Sequence, residues 1–162
     1  MEWEDVQIGF YNPDISLLGL VDNVGSAESK GMEIEATLLA TSQLALSFAY
    51  AFNEAELTED YIRNPSNGNV DAIDGQDLPF TPDNKYSLTA KYDFDLADRG
   101  ATFNMNYAFT DDMYNDIFLS KREKMNSYGL LSTNLRIELS DNSYARLFIE
   151  NLTNEVAELY IN

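Results

Sequence analysis

Leu44-Ala45-Leu46-Ser47-Phe48-Ala49-Tyr50-Ala51-Phe52-Asn53 carries a bulky apolar or aromatic residue at every even position and a small or polar one at every odd position. A period of two held this long puts every bulky side chain on one face of an extended chain; a helix would scatter them around its circumference. The same alternation returns along the chain. Lys85–Phe94 sets Tyr86, Leu88, Ala90, Tyr92 and Phe94 against Lys85, Ser87, Thr89, Lys91 and Asp93. Thr102–Thr110 opposes Phe103, Met105, Tyr107 and Phe109 to Thr102, Asn104, Asn106 and Ala108. Met32–Thr41 and Leu131–Leu139 repeat the pattern, the first with Glu33 and Glu35 on its polar side. Two weaker segments, Glu4–Tyr11 and Tyr144–Asn151, bring the predicted strands to seven, with no convincing helix among them.

Strands of soluble domains cluster at about 5–6 residues. These run to about ten, the length a tilted strand needs to cross a bilayer. Aromatics sit toward both ends of the apolar faces, as Tyr86, Tyr92 and Phe94 do, where interfacial belts would fall. The connections alternate. Thr41–Gln43, Asp95–Gly100 and Ser140–Ser143 are short, whereas Asn12–Gly31, Glu54–Asn84 and Asp111–Ser127 are long. Long loops on one side and tight turns on the other is the layout of outer-membrane barrels, with the long loops outside. A connection as long as Glu54–Asn84 is rare in a compact soluble domain. The expected fold is therefore all-β: an antiparallel up-and-down transmembrane β-barrel segment of about seven strands. Single-chain barrels use even strand numbers, and open edges in lipid are costly. Residues 1–162 are thus expected to form part of a larger barrel, truncated at both ends.

Composition narrows the function. Among 162 residues, 10 Lys and Arg face 28 Asp and Glu, a net charge of −18, and the chain has neither His nor Cys. Ser-His-Asp and Cys-His nucleophile systems, zinc fingers and disulfide frameworks are excluded. The acidic balance argues against nucleic acid as a partner, and 44% hydrophobic residues argue against disorder. The longest apolar runs, such as Leu17–Val21, are far too short for a membrane helix, and Met1–Asp5 has no leader pattern. Acid concentrates in the longest connection, where Glu54, Glu56, Glu59, Asp60, Asp71, Asp74, Asp77 and Asp83 meet only Arg63.

Chemistry-bearing groupings are few. Asp71, Asp74 and Asp77 flank Gly75, but their spacing is not a calcium loop and no bidentate Glu follows. No metal and no cofactor is expected. Glu33 and Glu35 share a strand face beside a wet lumen, with no pocket evident, so no catalytic residue and no enzyme activity are expected. Asn151-Leu152-Thr153 reads as a chance sequon. Lys85, Lys91, Arg136 and Arg146 on the wet face are expected to pair across strands with Glu33, Glu35, Asp93 and Glu138. Tyr61, Tyr114 and Phe118, in the long connections, are the candidate substrate-stacking aromatics, with loop packing as the competing explanation.

Three blocks carry a family resemblance. Asp22–Glu35 reads N-x-G-x-A-x-x-K-G-x-E through Asn23, Gly31 and Glu33; Asp74–Pro82 reads G-x-x-L-P-x-x-P from Gly75 to Pro82; and Arg146–Glu155 carries N-L at Asn151 and Leu152. In that order and spacing they resemble the C-terminal half of TonB-dependent outer-membrane receptors. The resemblance implies the last third of a barrel of about 22 strands, with the plug domain and the last strand absent. It implies location in the cell outer membrane. It also implies three partners: outer-membrane lipid, the rest of the receptor chain with its plug, and the TonB complex through the missing N-terminal part. The parent would take up a scarce nutrient, an iron chelate, vitamin B12 or an oligosaccharide, using TonB-supplied energy. Two departures stand out: Tyr160 lies further on than the family's late tyrosine, and the chain ends in Asn162 rather than an aromatic. In physical terms, Gly31 is expected to let the chain turn out of a long loop. Pro79 and Pro82 stiffen the loop's return, and Asn151 closes its strand by bonding nearby backbone. The competing reading is a soluble acidic β-sandwich, a binding or adhesion module, which would bury Leu46, Phe48, Phe103 and Leu135 in a dry interior.

Overall fold

Alternation this regular leaves the backbone one way to satisfy its polar groups, by pairing strand to strand. In the computed structural model, which describes residues 1–10, 20–66 and 68–159, eleven strands form. They are β1 (Glu2–Trp3), β2 (Gln7–Phe10), β3 (Leu20–Asn23), β4 (Ala27–Leu39), β5 (Leu44–Leu57), β6 (Asn84–Leu96), β7 (Arg99–Thr110), β8 (Met113–Tyr114), β9 (Lys124–Met125), β10 (Tyr128–Ser140) and β11 (Ser143–Ile149). Seven of them make one antiparallel sheet in the order β1-β4-β5-β6-β7-β10-β11. Strands β4 to β7 and β10 run 12 to 14 residues, longer than the alternation indicated because pairing continues into the long-loop end. At roughly 3.3 Å per residue each exceeds 35 Å, enough to cross a bilayer at a barrel's tilt.

One expectation needs correction. The expectation of a spanning strand at Glu4–Tyr11 is not met: among its described residues Gln7–Phe10 alone is extended, and it pairs with Leu20–Asn23 in a separate hairpin. Asp5, at φ 56°, turns the chain between β1 and β2, so the sheet's seventh member is the two-residue β1 against Ala27 and Glu28. The ends of that predicted strand and of Leu17–Val21 (Tyr11 and residues 17–19), with Tyr160, lie outside the described residues.

Register carries the two faces across the whole sheet. Ala36, Phe48, Leu88 and Tyr107 stand opposite one another in turn, as do Leu38, Leu46, Ala90 and Met105. Phe103, Leu135 and Leu147 continue the same face to β11. A slip of one residue anywhere would send this set to the other side. The apolar face is open: Leu88 is 49% exposed, Leu38 61% and Leu147 68%. Leu46, Phe48 and Phe103 are exposed as well and Leu135 is half-buried beside them, so no dry interior covers the four residues a sandwich would bury. Rings gather toward both ends of this face, Tyr86 stacked on Phe109 at 4.8 Å near the loops and Tyr92 on Phe94 at 5.5 Å near the turns.

The turn end is tight. Thr41 Oγ1 accepts from the backbone N–H groups of Gln43 and Leu44. Ala97 and Asp98 both adopt positive φ, 51° and 61°, the type I′ geometry that matches strand twist.

Gly31 does not open a strand as expected. It lies inside β4 opposite Asn53, where an added Cβ would sit 2.4 Å from the Phe52 carbonyl oxygen. Its requirement is close backbone approach rather than a turn. Gly31→Ala is expected to cost about 1–3 kcal/mol, because backbone and not a rotamer must yield; a denaturant midpoint of the receptor in detergent measures it.

Candidate functional site

The described parts of the long connections fold into a packed layer at one end of the sheet. Val24, Ala27, Leu57, Ala72, Ile117 and Phe118 form a buried cluster with Val6, Tyr61 and Leu78 against it. Apart from Val6, which lies between β1 and β2, these residues come from the three long connections and the strand ends beneath them. Backbone bonds stitch the layer: Leu57 N–H to Gln76 O (2.9 Å), Leu78 N–H to Ala55 O (2.8 Å), Leu119 N–H to Asp71 O (2.9 Å) and Phe80 N–H to Tyr114 O (2.8 Å). The buried Gln76 side chain donates to the Ile117 carbonyl. Gly75 takes φ +73°, which turns the chain just before Gln76, and Pro82 is buried where the loop returns to β6.

Two guanidinium groups clasp this layer. Arg122 stacks on Tyr114 at 3.6 Å and donates to the Asp77 carbonyl (2.9 Å), the Asp77 carboxylate (3.1 Å) and the Asp116 carbonyl (3.1 Å). Burial lowers its pKa from the ordinary value, while Asp77, Tyr114 and Asp116 act in the opposite direction. Arg63 lies 4.0 Å over the Phe118 ring, and its backbone N–H donates to Asp71 Oδ2 at 2.8 Å.

The candidate stacking aromatics lie within this loop layer. Phe118 is buried in the cluster at 3% exposure, Tyr61 packs against it with ring centroids 6.1 Å apart, and Tyr114 is half-buried under Arg122. Loop packing accounts for all three. The carboxylates near Gly75 are likewise committed, Asp71 to the Arg63 backbone and Asp77 to Arg122, and among the described residues no group of acids is placed to hold a metal ion.

Asp83 sits where the longest loop rejoins the sheet. Burial, then the nearby carboxylates of Asp77, Asp111 and Glu54, raise its pKa above the ordinary 3.8. A raised acid favours the folded loop when protonated, so its contribution is full below that ordinary value and is lost as pH rises through the folded one. Asp83→Asn is expected to make the loop layer more resistant to protease at neutral pH, with the difference closing on acidification below 3.8. Limited proteolysis at the two pH values measures it.

On the opposite side of the sheet from the apolar face lies a hydroxyl and amide row. Thr37 and Ser47 hydroxyls meet at 3.1 Å, Asn106 donates to Thr89 Oγ1 at 2.8 Å, and Asn104 donates to Asn134 Oδ1 at 3.2 Å. The ion pairs here run along strands, not across them as expected: Lys91 with Asp93 (2.9 Å) and Arg136 with Glu138 (3.0 Å). Two positions apart on one strand share a face, so these partners meet without crossing the ladder. Glu33 and Glu35 stand beside a depression of about 360 Å³ floored by Ala49, Ala51 and Ala108, with Lys85 across it.

At the far edge, Asn151 takes φ 50°, accepts from Glu155 N–H and donates to Glu155 O, both at 2.9 Å, and so ends β11. Leu152 is exposed and its N–H bonds Leu131 O at 2.7 Å. Asn23 lies exposed in β3.

An open antiparallel sheet with an exposed apolar face, a polar opposite face and structured loops at one end is a wall of a transmembrane β-barrel. The family model for the TonB dependent receptor-like β-barrel matches residues 4–154, and the chain belongs to that family. The siderophore receptor PiuA from Acinetobacter baumannii has a similar fold, with a TM-score of 0.63 at 22% identity over 82% of this chain. The chain spans 18% of that receptor's length. No curated protein matches it.

Proposed function

We propose that this chain is a segment of the barrel wall of a TonB-dependent receptor in the outer membrane, and that the whole receptor imports a scarce nutrient using energy delivered by TonB. One observation carries the reading: a register-locked apolar face exposed along every long strand, backed by a polar face. In water such a face would collapse or aggregate; against acyl chains it is at its lowest free energy. Residues 1–162 then form one part of a barrel of about 22 strands, whose remaining strands pair with the edge formed by β1 and the rest of β4 and with the edge at β11. Its polar face looks toward the plug, and the packed loops stand outside the cell at the substrate mouth. The part of the receptor that reaches TonB lies in the plug-bearing region rather than in this wall. The family match and the receptor-like fold support transport over enzymology.

Uptake by cells carrying the whole receptor tests this. Labelled ferric siderophore, vitamin B12 and oligosaccharide are offered separately, with TonB present or deleted. The reading expects accumulation of one of these classes that is lost without TonB. Accumulation of none, or accumulation indifferent to TonB, overturns it.

A further inference from the structure

We infer that the described parts of the long connections form a single preassembled wall, clasped by Arg63 and Arg122, that exchanges with solvent as one cooperative unit rather than loop by loop. The inference concerns the mouth assigned above and rests on that reading only for where the wall stands. Long barrel loops without a core of their own would exchange and move independently. Among the described residues the large side chains that are fully buried, Leu57, Ile117, Met125 and Val24, all lie at this end, and the membrane-crossing part of the sheet has no comparable cluster.

The clasps are reciprocal. Arg63 reaches from residues 58–83 over Phe118 of residues 111–127, and Arg122 reaches back from 111–127 to Asp77. Between them Gln76 spans the same gap to Ile117, and Leu119 and Phe80 close it with backbone bonds in opposite directions. Residues 24–26 of the first connection join through Val24 and Gly25, which bond the backbone of Val6 between β1 and β2 at 2.8 Å each, and through Ser26, whose N–H donates to the Glu59 carboxylate at 2.7 Å. No connection can leave without exposing the cluster shared by the others. A charge-assisted fork stacked on an aromatic ring is both directional and hard to replace by an ammonium.

Hydrogen exchange on the intact receptor, read by mass spectrometry, tests this without any substrate. In the unmodified receptor, the cross-loop amides of Leu57, Leu78, Phe80 and Leu119 should exchange at a common rate. Arg122→Ala should speed exchange in residues 71–80 and 113–125 together, by about tenfold or more, and leave residues 44–53 of β5 with β6 and β7 unchanged. Arg122→Lys, which keeps the charge but loses the fork, should fall between the two. Unequal rates in the unmodified receptor, or acceleration confined to 113–125 in the alanine variant, overturn the inference. Neither result bears on whether the receptor transports, so the two readings fail separately.

Discussion

Leu88→Arg should cost the folded receptor about 2–4 kcal/mol, the range for an arginine placed on the lipid side of a barrel near mid-membrane. Leu88 lies on the apolar face between the ring pairs at its two ends, 49% exposed and opposite Phe48 and Tyr107. Its exposure means that no protein cavity or partner is lost; the cost arises only if acyl chains surround it. Its strand neighbour supplies the control. Thr89 faces the polar side, bonded to Asn106, and Thr89→Arg should change stability far less. A denaturant titration in lipid vesicles separates the two. In a soluble sandwich the difference would shrink or reverse, because an exposed Leu-to-Arg change in water is close to neutral.

Phe118→Ala should loosen the loop layer by about 3–5 kcal/mol, the usual loss for a large ring removed from a packed interior. The ring is 3% exposed, touches Tyr61 and carries the Arg63 guanidinium on its face, so its loss leaves a cavity and an unstacked cation together. The effect should be confined to the loop end. Residues 58–83 and 111–127 should become sensitive to protease added outside intact cells, while heat-resistant barrel mobility on gels is retained. A comparable loss of the barrel itself would mean that the loop cluster holds the sheet up, which the independent ladder of β4 to β7 argues against.

How far these features are legible in the sequence depends on their range. Alternation reports on one residue and its neighbour, so the two faces, the long strands and the short turns could all be read from the chain. Pairing of distant segments is another matter. Val6, Ile8 and Phe10 alternate as a spanning strand does, yet Asp5 in the left-handed region turns the chain, and Gln7–Phe10 finds its partner in Leu20–Asn23. Gly31 was visible as a glycine, but its proximity to Phe52 O depends on register with another strand.

The loop wall was least legible. Arg122 stands in Lys121-Arg122-Glu123-Lys124, which reads as a solvated charge run, and nothing local separates it from its neighbours. Gln76 looks like an ordinary polar loop residue until Ile117 is brought to it. Tyr61, Tyr114 and Phe118 advertise themselves as aromatics, and whether an aromatic in a loop stacks on a ligand or on its own loop is settled only by tertiary contacts. At Gly75, Pro82 and Asn151 the relevant property is local. Positive φ, a stiff return and a local side-chain cap are properties of a few consecutive residues.

Because this chain contains no cysteine, a thiol placed anywhere in it is a unique label within the segment. Spin labels at Leu46, Leu88 and Leu135, and at their strand neighbours Ser47, Thr89 and Asn134, in the receptor reconstituted in lipid with any cysteines outside this segment replaced, report which side of each strand meets acyl chains. A lipid-facing apolar side requires high accessibility to oxygen dissolved in the bilayer and exclusion of a water-soluble nickel chelate at the three leucines, with much lower oxygen accessibility one residue along. Leucine positions shielded from both probes, as inside a closed protein core, or open to the chelate, would contradict it.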